Sequence, residues 1–220
     1  MKYKKYHVLI FDLDGTLIDS KKGIIHGYQH ALEKLNVKGY EMSLLYSFLG
    51  PPLQDNFRKH FFQNDSAKVE QAVLFFKEYM RSTGVHEATI FPGIVDMLRV
   101  LKRNRFIISL ATSKAQEFAD GLLSQFQIHK YFSFVTGVNA DGSRSSKSEL
   151  IAYVMKQYPG ITKDLFVMIG DREHDMIGAC ENGIDSIGVL YGYGAEKELK
   201  SAGATMTVHS VKEIEEIFSL

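Results

Sequence analysis

The string Phe11-Asp12-Leu13-Asp14-Gly15-Thr16 sets two carboxylates directly behind a short apolar run, His7 to Phe11. If that run is a strand, both acids stand at its carboxyl edge, where ligands bind in open α/β sheets, and Gly15 permits the tight turn that presents them. A second acidic pair, Asp171 and Asp175, follows the apolar run Leu165 to Ile169 in Gly170-Asp171-Arg172-Glu173-His174-Asp175. Residues four apart share one face once a helix has begun. Four carboxylates drawn to one sheet edge repel each other unless a cation stands among them. Carboxylates with backbone carbonyls, waters and a phosphate suit a hard divalent ion, Mg²⁺ ahead of zinc. Asp12, Asp14, Asp171 and Asp175 are therefore the candidate metal residues. The plainer reading of the second pair is an N-capping Asp beside a surface acid.

Two further stretches supply groups for an anion. The run Phe106 to Ala111 ends in Thr112-Ser113-Lys114, which offers a hydroxyl and backbone N–H groups at the start of a helix. Taken alone, Thr112 is an ordinary N-cap. The string Asp141-Gly142-Ser143-Arg144-Ser145-Ser146-Lys147-Ser148 puts cations at the next helix start, where the helix dipole disfavours them. That misplacement singles out Lys147, whose bland alternative is a solvated loop lysine. Arg144 and Lys114 are read as solvated, because neighbouring cations can substitute for them.

Positioning these groups requires strands alternating with helices. Short apolar runs recur at His7–Phe11, Phe106–Ala111, Phe134–Thr136, Leu165–Ile169, Ser186–Leu190 and Thr205–Val208. Stretches with apolar residues three and four apart lie between them, at Ile94–Arg103, Ala115–Phe126, Ser146–Gln157, Asp175–Asn182 and Ala195–Ala202, with Val211–Phe218 closing the chain. This is the pattern of a doubly wound α/β sheet with helices on both faces. About 80 residues without a convincing strand separate the first run from the helix after Pro92, too many for a loop in a compact domain. Helical patterns at Gly23–Leu35, Leu44–Leu49, Leu53–Phe62 and Ser66–Met80 make this interval an all-helical insertion, joined to the sheet near Ile18–Lys21 and Gly84–Pro92.

Composition narrows the function classes. The 220 residues carry 26 Lys plus Arg against 26 Asp plus Glu, so no global basic field exists for a nucleic-acid polymer or an anionic membrane. Any anion must be captured locally. Cys180 is the single cysteine, which excludes an intrachain disulfide and fits a reducing cytoplasm. The apolar run behind the basic N-terminus stops at Asp12, short of a signal-peptide core or a membrane span. Several weaker signals have plain readings. The insertion's Phe57, Phe61, Phe62, Phe75, Phe76 and Tyr79 read as packing of a small helical core. Phe48-Leu49-Gly50-Pro51-Pro52-Leu53 is either an interhelical turn or a rigid overhang that selects a leaving group. Gly192-Tyr193-Gly194 reads as a strand-to-helix turn, and His174 as a local structural residue.

In order and in placement at strand ends, D-x-D-G-T, Thr112, Lys147 and G-D-x-x-x-D resemble the four motifs of the haloacid dehalogenase superfamily of phosphohydrolases. The match spans nearly the whole chain. The resemblance implies a Rossmann-like core at residues 1–18 and 89–220, with a type 1 helical cap at 19–88. The strings Gly137-Val138-Asn139-Ala140-Asp141-Gly142 and Val189-Leu190-Tyr191-Gly192-Tyr193-Gly194, with Gly170 to Asp175, further resemble the branch called phosphoglycolate phosphatase or 5′-nucleotidase-like. It implies a Mg²⁺-dependent hydrolase of a small phosphorylated metabolite, with Asp12 as nucleophile through an aspartyl phosphate and Asp14 as acid and base. Lys147 would keep Asp12 ionised. Thr112 and the N–H groups of Leu13 and Ser113 would hold phosphoryl oxygens. Asp171, with Asp175 nearby, would anchor Mg²⁺ together with Asp12 and the backbone carbonyl of Asp14. An acid at Asp14 argues against dehalogenation, since expelling halide needs no proton. The alternatives are a phosphotransferase such as a sugar-phosphate mutase and a non-hydrolytic phosphoacceptor like response-regulator receivers, which length and motif order disfavour.

Overall fold

The computed structural model describes residues 6–63, 65–139, 144 and 146–218. Most of the predicted stretch Asp141 to Ser145, Arg144 excepted, lies outside the described residues, as do Met1 to Lys5 of the basic N-terminus. The chain divides into two compact units, Met1–Asp19 with Ile90–Leu220, and Ser20–Thr89.

The first unit opens with β1 (Val8–Phe11) and a short β2 (Ile18–Asp19). The second unit then contributes α1 (Lys21–Lys34), α2 (Met42–Tyr46), α3 (Leu53–Phe57) and α4 (Ser66–Ser82). After β3 (Thr89–Ile90) the first unit resumes with α5 (Ile94–Arg103), β4 (Ile107–Ala115), α6 (Gln116–Gln125), β5 (Phe134–Val138) and α7 (Lys147–Lys156). It ends with β6 (Phe166–Gly170), α8 (Glu173–Asn182), β7 (Asp185–Val189), α9 (Glu196–Ser201), β8 (Met206–Val208) and α10 (Val211–Phe218).

The six-stranded sheet runs β5-β4-β1-β6-β7-β8, and every pairing is parallel. Strand β1 is buried along its whole length because both faces are covered, which is why its sequence is continuously apolar rather than alternating. Val8, Ile10, Phe166 and Met168 meet Leu150, Ile151 and Val154 of α7 and Ala179 of α8 on one face. Leu9 and Phe11 point to the opposite face by strand alternation and are equally buried. The chain order reverses at β1, which lies between β4 and β6. That is the topological switch point of the sheet, and the crevice beyond its carboxyl ends is where this architecture places ligands. Register makes the placement specific. Phe11 pairs with Leu110 on one side and Ile169 on the other, so Asp12 follows one residue past the last shared row, and Thr112 and Asp171 follow two residues past it on the flanking strands.

One expectation is corrected here. The segment Thr112–Lys114 does not begin a helix; β4 continues to Ala115 through a register irregularity, and α6 starts only at Gln116. Thr112 is therefore a buried strand residue and not an N-cap.

The second unit packs α1 against α4 around Tyr28, whose ring lies 5.0, 5.1 and 5.0 Å from those of Phe48, Phe57 and Phe76. Asn56 Nδ2 donates to the Tyr28 hydroxyl at 2.8 Å and to the Phe48 carbonyl at 3.3 Å, which satisfies the polar groups inside this aromatic shell. The predicted helix Leu53–Phe62 is instead α3 followed by a π turn over Arg58–Phe62. The wider i→i+5 turn brings Phe57 and Phe62 together, with rings 6.3 Å apart and both buried. Among the described residues no helix is long and apolar enough to cross a membrane.

Candidate active site

The loop after β1 is folded by its own backbone. The Leu13 carbonyl accepts the N–H groups of Thr16, Leu17 and Ile18 at 3.3, 2.9 and 3.0 Å, and Gly15 at φ 81° turns the chain back. A Cβ at Gly15 would overlap the Asp171 carboxylate, so only glycine lets the two loops meet. Asp12 is fixed at the start of this loop by its N–H, which donates to Ile169 of β6 at 2.9 Å.

Lys147 is the hub of the site. It is the first residue of α7, behind Ser146, whose side chain caps the helix in a capping box with Glu149. Its ammonium lies 2.8 Å from Asp12 and 2.9 Å from Asp175, and donates to the Ala111 carbonyl of β4 at 3.0 Å. Its side chain is only 4% exposed. The cation that the helix dipole disfavours is thus held by two carboxylates, one from the loop after β1 and one from α8. Burial works against its charge, but Asp12 and Asp175 outweigh burial and hold Lys147 protonated beyond the ordinary lysine range.

Asp12, Asp171 and Asp175 can each place one oxygen within 4.8 Å of the other two. Asp171 and Asp175 do not converge by sharing a helix face, as the sequence spacing suggested. Asp171 follows the last residue of β6, α8 begins at Glu173, and Asp175 turns back so that its Oδ2 accepts the N–H of Arg172 at 3.1 Å. Asp171 is fully buried, and its two oxygens accept from the Thr16 hydroxyl at 3.2 Å and the Tyr193 N–H at 2.8 Å.

The charge is unbalanced. Three buried carboxylates face one buried ammonium, a net −2 when all ionise. Burial, opposed by Lys147 and reinforced by Asp175 and Asp14, pushes Asp12 up to about 6. Asp171 is raised well above the carboxylate range by burial, then by Asp175 and Asp12. The donor set is all oxygen and carries two surplus negative charges, which fits a hard divalent cation of the Mg²⁺ class.

The remaining candidates lie around this cluster. Thr112 is buried, and its hydroxyl accepts the Lys114 N–H at 3.2 Å. Leu13 is buried between the two acids of its motif, and Ser113 follows Thr112, half-buried. The carboxylate of Asp14 lies outside the acidic triad and is gripped by Lys114, at 2.8 and 3.1 Å to its two oxygens.

Sequence reasoning missed three contributors. The sequence alone makes Lys114 a solvated cation, yet its side chain is 7% exposed and pairs with Asp14. Its position two residues past Thr112, at the edge where acids gather, was the available signal. Thr16, which closes the D-x-D-G-T string, donates its hydroxyl to Asp171. Gly192-Tyr193-Gly194 is more than a strand-to-helix turn, because Tyr193 donates to Asp171 through its backbone and to Asp19 through its hydroxyl at 3.0 Å. A Cβ on Gly192 or Gly194 would overlap Asp171, so this turn closes over the acid by close backbone approach.

The family model described as haloacid dehalogenase-like hydrolase matches residues 9–189, from β1 to the end of β7. The chain belongs to this family. It is 37% identical over 197 residues to a 5′-nucleotidase of Pseudomonas aeruginosa, covering 90% of this chain and 88% of that one. To the tyrosine-protein kinase PtkA of Mycobacterium tuberculosis it is 33% identical over 203 residues, 92% of this chain and 68% of that protein. The solved structure of PtkA matches it with a TM-score of 0.83, covering 99% of this chain and 100% of the other at 30% identity. A phosphoglycolate phosphatase of Pseudomonas putida is 27% identical over 213 residues, 93% of this chain and 77% of that one. In this haloacid dehalogenase-like hydrolase the acidic cluster stands just past the carboxyl ends of β1 and β6.

Proposed function

We propose that the protein is a Mg²⁺-dependent phosphomonoester hydrolase acting on a small phosphorylated metabolite, 5′-nucleotidase-like or phosphoglycolate phosphatase-like, through an aspartyl phosphate on Asp12. The observation that carries this reading is the buried Lys147 ammonium between Asp12 and Asp175, with Asp171 beside them. Family membership and the likeness to the two phosphatases support it.

Asp12 stands at the mouth of the sheet as a carboxylate held by Lys147, free to form an oxygen–phosphorus bond in line with the departing oxygen. Lys147 shields it from the incoming phosphate dianion. The Thr112 hydroxyl, with the N–H groups of Leu13 and Ser113, steadies the phosphoryl oxygens. Asp14 gives its proton to the leaving oxygen, then takes one from the water that cleaves the aspartyl phosphate. Asp12, Asp171 and Asp175, with the backbone carbonyl of Asp14, would hold Mg²⁺, which when bound neutralises the surplus charge and polarises the phosphoryl group. Substrate and site then work in the cytoplasm without nucleic-acid polymer or membrane.

Phosphate release from nucleoside monophosphates and phosphoglycolate, with and without Mg²⁺, tests the proposal. Release that depends on the metal supports it. Transfer to a second acceptor without release favours the phosphotransferase reading, for which the likeness to PtkA is the specific reason to look. The two differ only in what attacks the aspartyl phosphate.

A further inference from the structure

We propose that Lys114 is a positioning residue for Asp14, fixing the carboxyl group that protonates the leaving oxygen. The inference rests on the reading of Asp14 as acid and base given above. Lys114 lies in the stretch of β4 where register against β5 breaks, between Ala111 and Ala115. Its side chain is withdrawn from solvent, and its ammonium reaches both oxygens of Asp14, at 2.8 and 3.1 Å. A lysine is rarely so buried unless it is paired. The two lysines of the site divide the acids between them: Lys147 serves Asp12 and Asp175, and Lys114 serves Asp14. A carboxyl group gripped through both oxygens is restrained in rotation, so its approach to the leaving oxygen is preset rather than searched for.

The chemistry uses this grip twice. As Asp12 bonds to phosphorus, the bond from phosphorus to the substrate oxygen breaks and the Asp14 proton passes to that oxygen. Asp14 becomes a carboxylate directly against the Lys114 ammonium, so opposite charge already stands where negative charge develops. In the second half Asp14 takes a proton from water while the water oxygen bonds to phosphorus, which releases phosphate and restores both acids.

A leaving group that departs readily as an anion needs no proton, and this separates positioning of Asp14 from general support of the site. The experiment compares kcat/KM of wild type, Lys114→Met and Lys114→Arg on p-nitrophenyl phosphate and on an alkyl ester, β-glycerophosphate or AMP. The expected result is a loss of about 100-fold for Lys114→Met on the alkyl ester, with less than about 5-fold on p-nitrophenyl phosphate. Lys114→Arg should recover part of the selective loss. Equal losses on both esters, or a rise in KM alone, would identify a phosphate-binding or purely structural lysine and overturn the proposal. So would no loss at all. If Lys114→Met does not fold, Lys114→Arg carries the test, because displacing the charge should still penalise the alkyl ester selectively. Failure of the wild type to release phosphate from either ester would overturn the hydrolase reading itself, and this proposal with it. That outcome is distinct from an active wild type with unselective variants.

Discussion

Asn56 and Asp171 are both buried polar residues, but their surroundings differ in kind. In the helical unit, Asn56 and Tyr28 sit in a shell of phenylalanines, neutral and hydrogen-bonded to each other and to the backbone. In the sheet unit, Asp171 shares its neighbourhood with Asp12 and Asp175 against the one ammonium of Lys147. A satisfied neutral network is complete without a ligand and rigidifies the unit that holds it. A buried site with surplus charge of one sign works against folding, and its presence marks a place built to receive something of opposite charge. The helical unit's polar core is complete in itself, whereas the sheet unit's is short of positive charge. Variants in the two places should therefore pull stability and activity in different directions.

The largest effect is expected at Asp12. Asp12→Asn should lower kcat by at least about 10³-fold while circular dichroism stays unchanged, because it removes the proposed nucleophile and leaves Lys147 paired with Asp175. Substantial residual turnover would contradict the assigned role. Asn56→Ala should do the reverse, lowering stability by about 2 to 4 kcal/mol in urea titrations by leaving the Tyr28 hydroxyl and the Phe48 carbonyl without their partner in an apolar shell.

pH sharpens the contrast further. Asp12 is raised from 3.8 to about 6 in the folded chain, so the folded state holds this proton more tightly than the unfolded state. The stability contributed by that proton is full below 3.8 and is lost as pH rises through about 6. Metal-free protein should accordingly lose stability as pH rises from about 4 to about 6, by about 1 to 3 kcal/mol from this group. Mg²⁺ should recover it, with a thermal shift that is larger at pH 7.5 than at pH 5. A shift independent of pH, or absent, would count against the acidic triad as the metal site. Asp12→Asn, measured without metal at pH 7, should be as stable as wild type or more so. The smallest effect is expected for Thr16→Val, which removes one hydrogen bond to Asp171 and should weaken Mg²⁺ binding about 10-fold by calorimetry with the fold intact.

The sequence made the sheet legible because β1 and β6 are buried on both faces and read as unbroken apolar runs. The acids at their ends were legible for the same reason: a carboxylate directly after such a run has no place to go but the sheet edge. What the sequence hid was set by contacts between distant segments. Lys114 and Asp14 are 100 residues apart, and although the place of Lys114 two residues past Thr112 puts it at the acidic edge, nothing local singles out Asp14 as its partner. The extension of β4 past Thr112 follows from an irregular register with β5, which apolar periodicity does not encode. The π turn at Arg58–Phe62 escaped for a related reason, since Phe57 and Phe62 are out of phase for an α-helix and meet only when the turn widens. Gly192 and Gly194 looked like loop punctuation because the surface they must approach, Asp171, comes from another strand.

The central claim is that Asp12 carries the phosphoryl group during turnover. Reaction with substrate and Mg²⁺, followed by rapid quenching, borohydride reduction and peptide mass spectrometry, tests it most directly. An aspartyl phosphate is reduced to homoserine, so the account predicts homoserine at position 12 in wild type and unmodified asparagine in Asp12→Asn. Active enzyme that yields no reduced residue, or one at Asp14, Asp171 or Asp175 instead, would contradict it.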